Sequence, residues 1–239
     1  MNLVHRLYAG RGKDCRVLDI GCSSGFLRRI IEGNASPDDK KRIFYWGMDV
    51  REDMLRRAVE ATDEIEAGAA GAITPSAFVL QDLKFPLPFK DAQFDVIVNF
   101  EMIKYLPIDQ GARLLAQIRR VLRPKGSFFL STTDYSEIRD EAHEGYMRAL
   151  LPDQVGEMIT EAGFSIVERY GSQGRMNKLA KAIPPGHVDF VNALLKHHPP
   201  EIVAAMLTPL YPDGADQVTF RAVPAQSEAS KSKPSTDEN

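Results

Sequence analysis

An α/β fold built on a mostly parallel sheet is what this chain predicts, on three observations. Short apolar runs alternate with segments of helical period, as crossover connections between parallel strands require. The apolar runs end in small or acidic residues, the usual punctuation at a strand's carboxyl edge. With 239 residues and 44% apolar composition, the chain is large enough to bury a full core as a single domain. The expected architecture is a seven-stranded sheet with helices on both faces and a helical lid inserted before the last strand. One domain would span residues 1–225, and 226–239 would be a tail.

Seven strands are expected, at Arg16–Ile20, Phe44–Asp49, Ala77–Gln81, Phe94–Asn99, Ser127–Thr132, Phe164–Tyr170 and Gln217–Val223. Between them, Phe26–Glu32, Glu52–Ala61, Asp109–Leu122 and Asp153–Ala162 carry apolar residues at three-to-four spacing and read as helices. Pro124-Lys125-Gly126 and Gly163 act as stops. Two stretches break the alternation. Thr133–Leu151 is charge-rich and reads as a loop or mobile helix. Gly171–Gly214 holds helical patterns around Val188–Leu195 and Glu201–Leu207, set between Pro184-Pro185, Pro199-Pro200 and Pro209. Its apolar content argues for an ordered lid, the common role of a long connection in a compact domain. From Gln226 to Asn239 the chain is mostly Ser, Lys, Asp and Glu, which predicts a disordered tail.

Composition narrows the function classes. A formal net charge of -3 and a pI near 6.0 give no general attraction to a phosphate backbone, so nucleic acid is not the expected substrate. Cys15 and Cys22 are too few for a disulfide framework and have no metal-ligand spacing. No segment approaches the roughly 20 apolar residues of a membrane span, and no signal peptide is evident. The expectation is a soluble cytoplasmic protein without a metal, monomeric or homodimeric.

Val17-Leu18-Asp19-Ile20-Gly21-Cys22-Ser23-Ser24-Gly25-Phe26-Leu27 reads as a strand, a small-residue turn and a helix start. Gly21 and Gly25 would let the backbone approach a ligand, and the helix start directs free amides toward it. An ordinary strand-to-helix turn has the same outline. The second strand, however, ends in Tyr45-Trp46-Gly47-Met48-Asp49, which puts a carboxylate at the carboxyl edge, where it accepts hydrogen bonds from both hydroxyls of a ribose. Together the two features mark a nucleoside site. The dinucleotide fingerprint would need glycines at the places of Ser23 and Phe26, so NAD is disfavoured, and a loop with no pyrophosphate to cradle tolerates a side chain at Ser23.

With these residues in view, the stretch from Val17 to Thr132 resembles the class I S-adenosylmethionine-dependent methyltransferases, a Rossmann-like family. The resemblance implies S-adenosyl-L-methionine as cofactor and S-adenosyl-L-homocysteine as product. It implies that Asp49 with neighbouring Val50 binds the ribose, that Asp82 and Leu83 in Gln81-Asp82-Leu83 contact the adenine, and that Asn99 and Phe100 border the methionine arm. Asp19, Gly21, Cys22, Ser23 and Gly25 complete the expected cofactor set. Asp19 has a structural alternative, ordering the loop from a buried strand end, and Asp82 could be a solvated turn residue. Trp46 and Phe100 could stack on an adenine or belong to the core. Where many relatives carry a histidine this chain has Tyr105, which leaves that histidine's role without a direct successor.

Transfer of a methyl group needs an in-line nucleophile at about 3 Å and little catalytic machinery, so a base is required only for a protonated acceptor. Tyr105, after the fourth strand and with packing as its alternative role, and His143, with Asp134, Tyr135 and Glu137 on the connection after the fifth strand, are the candidates. His143 has the ring pKa suited to the task, although an exposed loop histidine would look the same. The lid, with Arg175, Asn177, Lys178 and Lys181 among Phe190, Leu194, Leu195, Met206 and Leu207, suits a small polar acceptor. Arg119-Arg120 and Arg123 to Lys125 read as a solvated face. Methyl transfer to an oxygen or nitrogen of a small molecule is therefore the expected function. The alternatives are a non-catalytic adenosylmethionine or adenosylhomocysteine binder and a nucleic-acid methyltransferase.

Overall fold

The structure is a computed structural model that describes residues 14–68, 76–135 and 144–225. His143, Glu137 and the tail at 226–239 lie outside the described residues. In chain order the main elements are β1 (Cys15–Ile20), α1 (Phe26–Asn34), α2 (Pro37–Lys40), β2 (Ile43–Asp49), α3 (Glu52–Gly68), β3 (Ser76–Leu80), β4 (Phe94–Phe100), α4 (Ile108–Val121) and β5 (Leu122–Thr133). They continue with α5 (Pro152–Glu161), β6 (Phe164–Ser172), α6 (Met176–Ala182), α7 (Val188–Leu195), α8 (Pro200–Leu207) and β7 (Gln217–Pro224).

The seven strands form one sheet in the order β3-β2-β1-β4-β5-β7-β6. All pairs are parallel except those of β7, which runs antiparallel between β5 and β6. The alternation of side chains along each strand feeds two cores. Leu18, Ile20, Ile97, Phe128 and Leu130 fill one face, and Val17, Tyr45, Val96, Val98 and Phe129 fill the other. Burial on both faces explains why these strands read as unbroken apolar runs. From β1 the chain winds outward through β2 and β3, then returns to start β4 on β1's other side. The reversal opens a crevice at the carboxyl ends of β1 and β4, the place where open α/β sheets bind ligands.

The fifth strand begins earlier than its sequence suggests, at Leu122 rather than Ser127. Arg123–Gly126 form a bulge, since Phe94 pairs with Leu122 and Val96 next pairs with Ser127. A bulge leaves residues out of the ladder, so Pro124 needs no amide hydrogen there. The arginines nearby are not a solvated face. Arg123 forks onto Asp95 at 2.7 and 2.9 Å, and Arg120 donates to the carbonyls of Leu87 and Phe89 at 2.9 and 2.8 Å. Arg119 donates to the Gly163 carbonyl at 3.2 Å. These side chains tie the β3–β4 connection and the α5–β6 turn to α4 and β5.

The expected insertion lies between β6 and β7, with α7 and α8 at the foreseen places and α6 in addition. Leu179, Val191, Val203, Ala204 and Leu207 give it a small core of its own. Its polar residues dock it. Lys178 donates to Asp134 at 2.6 Å and to the Ala215 carbonyl at 3.0 Å, and Arg175 forks onto Asp216 at 3.1 and 3.0 Å. Lys178 and Asp134 are mostly buried, so breaking the pair takes a buried counter-charge from the carboxylate. Lys178→Met should therefore lower the local opening free energy of 176–214 by roughly 1–3 kcal/mol. Native-state hydrogen exchange checks it: faster exchange in α6–α8 is expected while β1 and β4 keep theirs, and unchanged exchange in the helices contradicts the clasp.

Candidate functional site

At the switch point the first glycine loop leaves β1. Gly21 and Gly25 have φ of +80 and +74°, and Ser23 adopts +49°, so the chain reverses through left-handed backbone before α1 starts. Gly21 and Cys22 donate their amides to the Met48 carbonyl at 2.7 and 3.0 Å, which binds the loop to the end of β2. A Cβ at Gly21 would stand 2.5 Å from the Met102 Cγ, and one at Gly25 would stand 3.3 Å from the Ala58 Cβ. Both glycines are thus demanded by backbone angle and by neighbouring elements as well as by any ligand.

Asp49 holds this loop. Its Oδ2 accepts the Ser23 amide and its Oδ1 the Arg51 amide, each at 2.9 Å, while the Arg51 guanidinium reaches Ser23 Oγ at 3.2 Å. Each carboxylate oxygen takes one amide and keeps further acceptor capacity, with the Arg51 Nε 3.7 Å from Oδ1. The carboxylate opens onto a cavity of about 590 Å³ between the ends of β1, β2 and β4. Gly21, Ser23, Asp49, Val50, Asp82, Leu83, Phe100 and Tyr105 all line it, as the sequence expects of them. A larger but shallower depression of about 700 Å³ between α5, β6 and β7 contains none of these residues.

Four expected site residues do not line this cavity: Gly25, at the start of α1, and Asn99, Cys22 and Asp19. Asn99 is fully buried, donates to the Ile20 carbonyl at 3.3 Å and accepts the Ile103 amide at 3.1 Å. It fastens β1's end to the turn after β4, and its amide group does not line the cavity. Cys22 packs its sulfur beneath the loop, where a Cβ on Gly47 would meet it at 2.8 Å. Burial pushes this thiol up, and the carboxylates of Asp19 and Asp49 push it further. Asp19 is buried and accepts the Tyr45 phenol at 2.6 Å, which ties β1 to β2 rather than ordering the loop. Trp46 packs edge-on against Phe94 in the core, with centroids 5.5 Å apart.

Burial raises the Asp19 carboxyl to about 7, the Tyr45 hydrogen bond working against this and the Asp49 charge adding to it. A folded-state pKa above the unfolded value means the folded chain binds the proton more tightly. Stability from this group is complete below about pH 4 and is lost as pH rises through about 7. Asp19→Asn keeps an acceptor for Tyr45 and should gain on the native chain by up to a few kcal/mol between pH 5 and 8. Denaturant titrations at the two pH values check this, and equal differences at both would contradict it.

The sequence reading missed a polar cluster on the cavity's other wall. Glu101 lines the cavity and accepts Ser131 Oγ at 2.9 Å, Thr133 Oγ1 at 2.6 Å and Lys104 Nζ at 2.9 Å. Lys104 also donates to the Tyr135 phenol at 2.9 Å. Burial alone would raise the Glu101 carboxyl, but the hydrogen bonds from Thr133, Lys104 and Gln217 together hold it below the usual carboxylate range. Glu101 also has φ of +58°, a left-handed backbone rare outside glycine. Its place directly after Phe100 was the available signal.

The residues fit an adenosyl cofactor. Volume, a carboxylate with spare lone pairs at the floor, and apolar surface from Met48, Val50 and Leu83 beside Asp82 match a nucleoside with a polar tail. The lining acids Asp49, Asp82 and Glu101 face the guanidinium of Arg51, an excess of negative charge that suits a sulfonium.

A family model described as a methyltransferase domain matches residues 18–130. A Mycolicibacterium smegmatis protein named "Probable S-adenosylmethionine-dependent methyltransferase" is 30% identical over 174 residues, covering 71% of this chain and 57% of the relative. The chain thus spans little more than half the length of that relative. Among solved structures, a SAM-dependent methyltransferase from Methanosarcina mazei superimposes with a TM-score of 0.61 at 14% identity, covering 95% of this chain and 99% of that one. The [4+2]-cyclase SpnF superimposes with a TM-score of 0.60 at 18% identity, covering 94% and 79%. At such identities the structures share the fold alone. Glycine loop, the strand-end carboxylate of Asp49 and the strand order agree with the match over 18–130, and that stretch is a methyltransferase domain similar to S-adenosylmethionine-dependent methyltransferases.

Proposed function

We propose that this chain transfers a methyl group from S-adenosylmethionine to an oxygen or nitrogen atom of a small-molecule acceptor. The observation that carries the reading is Asp49, whose carboxylate braces the glycine loop and still opens onto the cavity. In this reading Asp49 holds the ribose hydroxyls, and Val50, Asp82 and Leu83 surround the adenine. Gly21, Phe100 and Met102 border the methionine arm, with the loop amides already committed to β2. When bound, the cofactor supplies a methyl carbon made electrophilic by its sulfonium. The protein's part is to orient the acceptor in line and exclude water.

Tyr105 sits at the cavity rim, 61% exposed, within reach of an incoming acceptor. The small-molecule class is supported by the arginines around Arg119–Arg123, which bind carbonyls and carboxylates of this chain rather than forming a free basic face. No described helix is long and apolar enough to cross a membrane. The lid carries no cavity-lining residue, so its expected part in acceptor choice would require movement toward the rim.

The test is incubation with methyl-labelled S-adenosylmethionine and a panel of small alcohols, phenols and amines, followed by chromatography. Label in one of them together with adenosylhomocysteine is expected. Binding of adenosylhomocysteine with no labelled product from any acceptor would favour a non-catalytic binder. Label in RNA or DNA, with binding that weakens as salt rises, would move the acceptor to nucleic acid.

A further inference from the structure

We propose that Glu101 is the acceptor-binding residue of this site and selects molecules that present an N–H or O–H donor, amines and alcohols, over anions. The inference rests on the methyl-transfer reading above. Its ground is geometric. Glu101 is the first residue beyond β4 and lines the cavity on the side of β5, across from Asp49 and the glycine loop. That wall faces away from the ribose and adenine positions.

Its side chain is unusually fixed for a partly open carboxylate. Ser131 Oγ donates to Oε1, while Thr133 Oγ1 and Lys104 Nζ donate to Oε2. The backbone is fixed too, because the Glu101 amide donates to Ser131 Oγ at 2.9 Å and φ is held at +58°. Glycine or asparagine would adopt that angle at less cost, and strain of this kind persists where surrounding structure imposes it, most often at binding sites. A core-packing role does not need a carboxylate here. The carboxylate, held by Ser131, Thr133, Lys104 and Gln217, still borders the cavity, where a ligand donor would share its oxygens.

The charge pattern sets the selectivity. Lys104 partly neutralises Glu101, but it stands behind the carboxylate, bonded to Tyr135 and absent from the cavity lining. A ligand entering the cavity therefore meets carboxylate oxygens first. An amine or alcohol placed on Glu101 gains a charge-assisted hydrogen bond, whereas an acceptor whose reactive end is anionic is repelled. Because the clamp holds Glu101 ionised, it orients the acceptor and does not take its proton.

The experiment loads the full chain with adenosylhomocysteine, measures that affinity by calorimetry, and then titrates n-butylammonium, n-butanol and n-butyrate by ligand-observed NMR. The native chain is expected to bind the ammonium or the alcohol and to show no saturable butyrate signal. Glu101→Gln should leave adenosylhomocysteine affinity within about twofold and weaken the ammonium roughly tenfold or more. If Glu101→Gln melts far below the native chain, Thr133→Val replaces it, keeping the charge but releasing Oε2, and should weaken the same probe by a few-fold.

Three results would overturn the proposal: no binding of either donor probe to the loaded native chain, equal binding to native and variant, or preference for butyrate. A loss of adenosylhomocysteine affinity in Glu101→Gln would also overturn it by moving the residue to the cofactor. Failure of the native chain to bind adenosylhomocysteine at all would instead strike the methyl-transfer reading, so the two failures are separable.

Discussion

Asp49→Ala is expected to weaken adenosylhomocysteine binding by roughly tenfold to a hundredfold, the value of a charge-assisted hydrogen bond with its geometry. The variant removes the ribose's acceptor and also the brace that takes the Ser23 and Arg51 amides at 2.9 Å. Two losses are therefore combined. Asp49→Asn separates them, because its one carbonyl oxygen can still accept a loop amide while the charge is gone. Calorimetric affinities should fall in the order native, Asn, Ala. An Ala variant that binds as tightly as the native chain would remove the ribose assignment.

Gly21→Ala should be the most damaging small change to the fold near the site. Left-handed backbone costs an alanine roughly 1–2 kcal/mol. The added Cβ would also lie 2.5 Å from the Met102 Cγ and 2.6 Å from its Cβ, and relieving that overlap costs about another 1–3 kcal/mol. Together these imply a fall in melting temperature on the order of 10 °C. Met102→Gly in the same chain removes both overlapping atoms but not the angle. The double variant should then be less destabilised than the sum of the singles, and strict additivity would show that Met102 is not what Gly21 accommodates.

How much of this was legible from the residues alone varies with physical cause. The strands of the buried sheet were placed to within a few residues, since burial on both faces forces apolar runs and the turns need glycine or acid. The place of Asp49 at the cavity was legible because it ends a strand at the sheet's carboxyl edge, but its bracing of the glycine loop was not. Leu122 as the start of β5 was not, because a bulge disguises Arg123–Gly126 as a helix stop. Asn99 and Asp19 illustrate the harder limit. Whether a polar side chain at a strand end turns to a ligand or to a neighbouring backbone depends on which elements pack beside it, and here Ile20, Ile103 and Tyr45 take them. Glu101 failed in the opposite sense. Its partners Ser131, Thr133 and Lys104 lie on a strand and a turn that only the fold brings together. Arg175 and Lys178 read as acceptor-facing, yet their counter-charges Asp134 and Asp216 make them the lid's anchors.

A crystal structure of the chain grown with S-adenosylhomocysteine tests the central claim most directly. The predicted result is ligand density in the cavity between β1, β2 and β4, with both ribose hydroxyls on the Asp49 carboxylate and the adenine beside Asp82 and Leu83. Density placed elsewhere, or a ribose that leaves Asp49 untouched, would contradict the account.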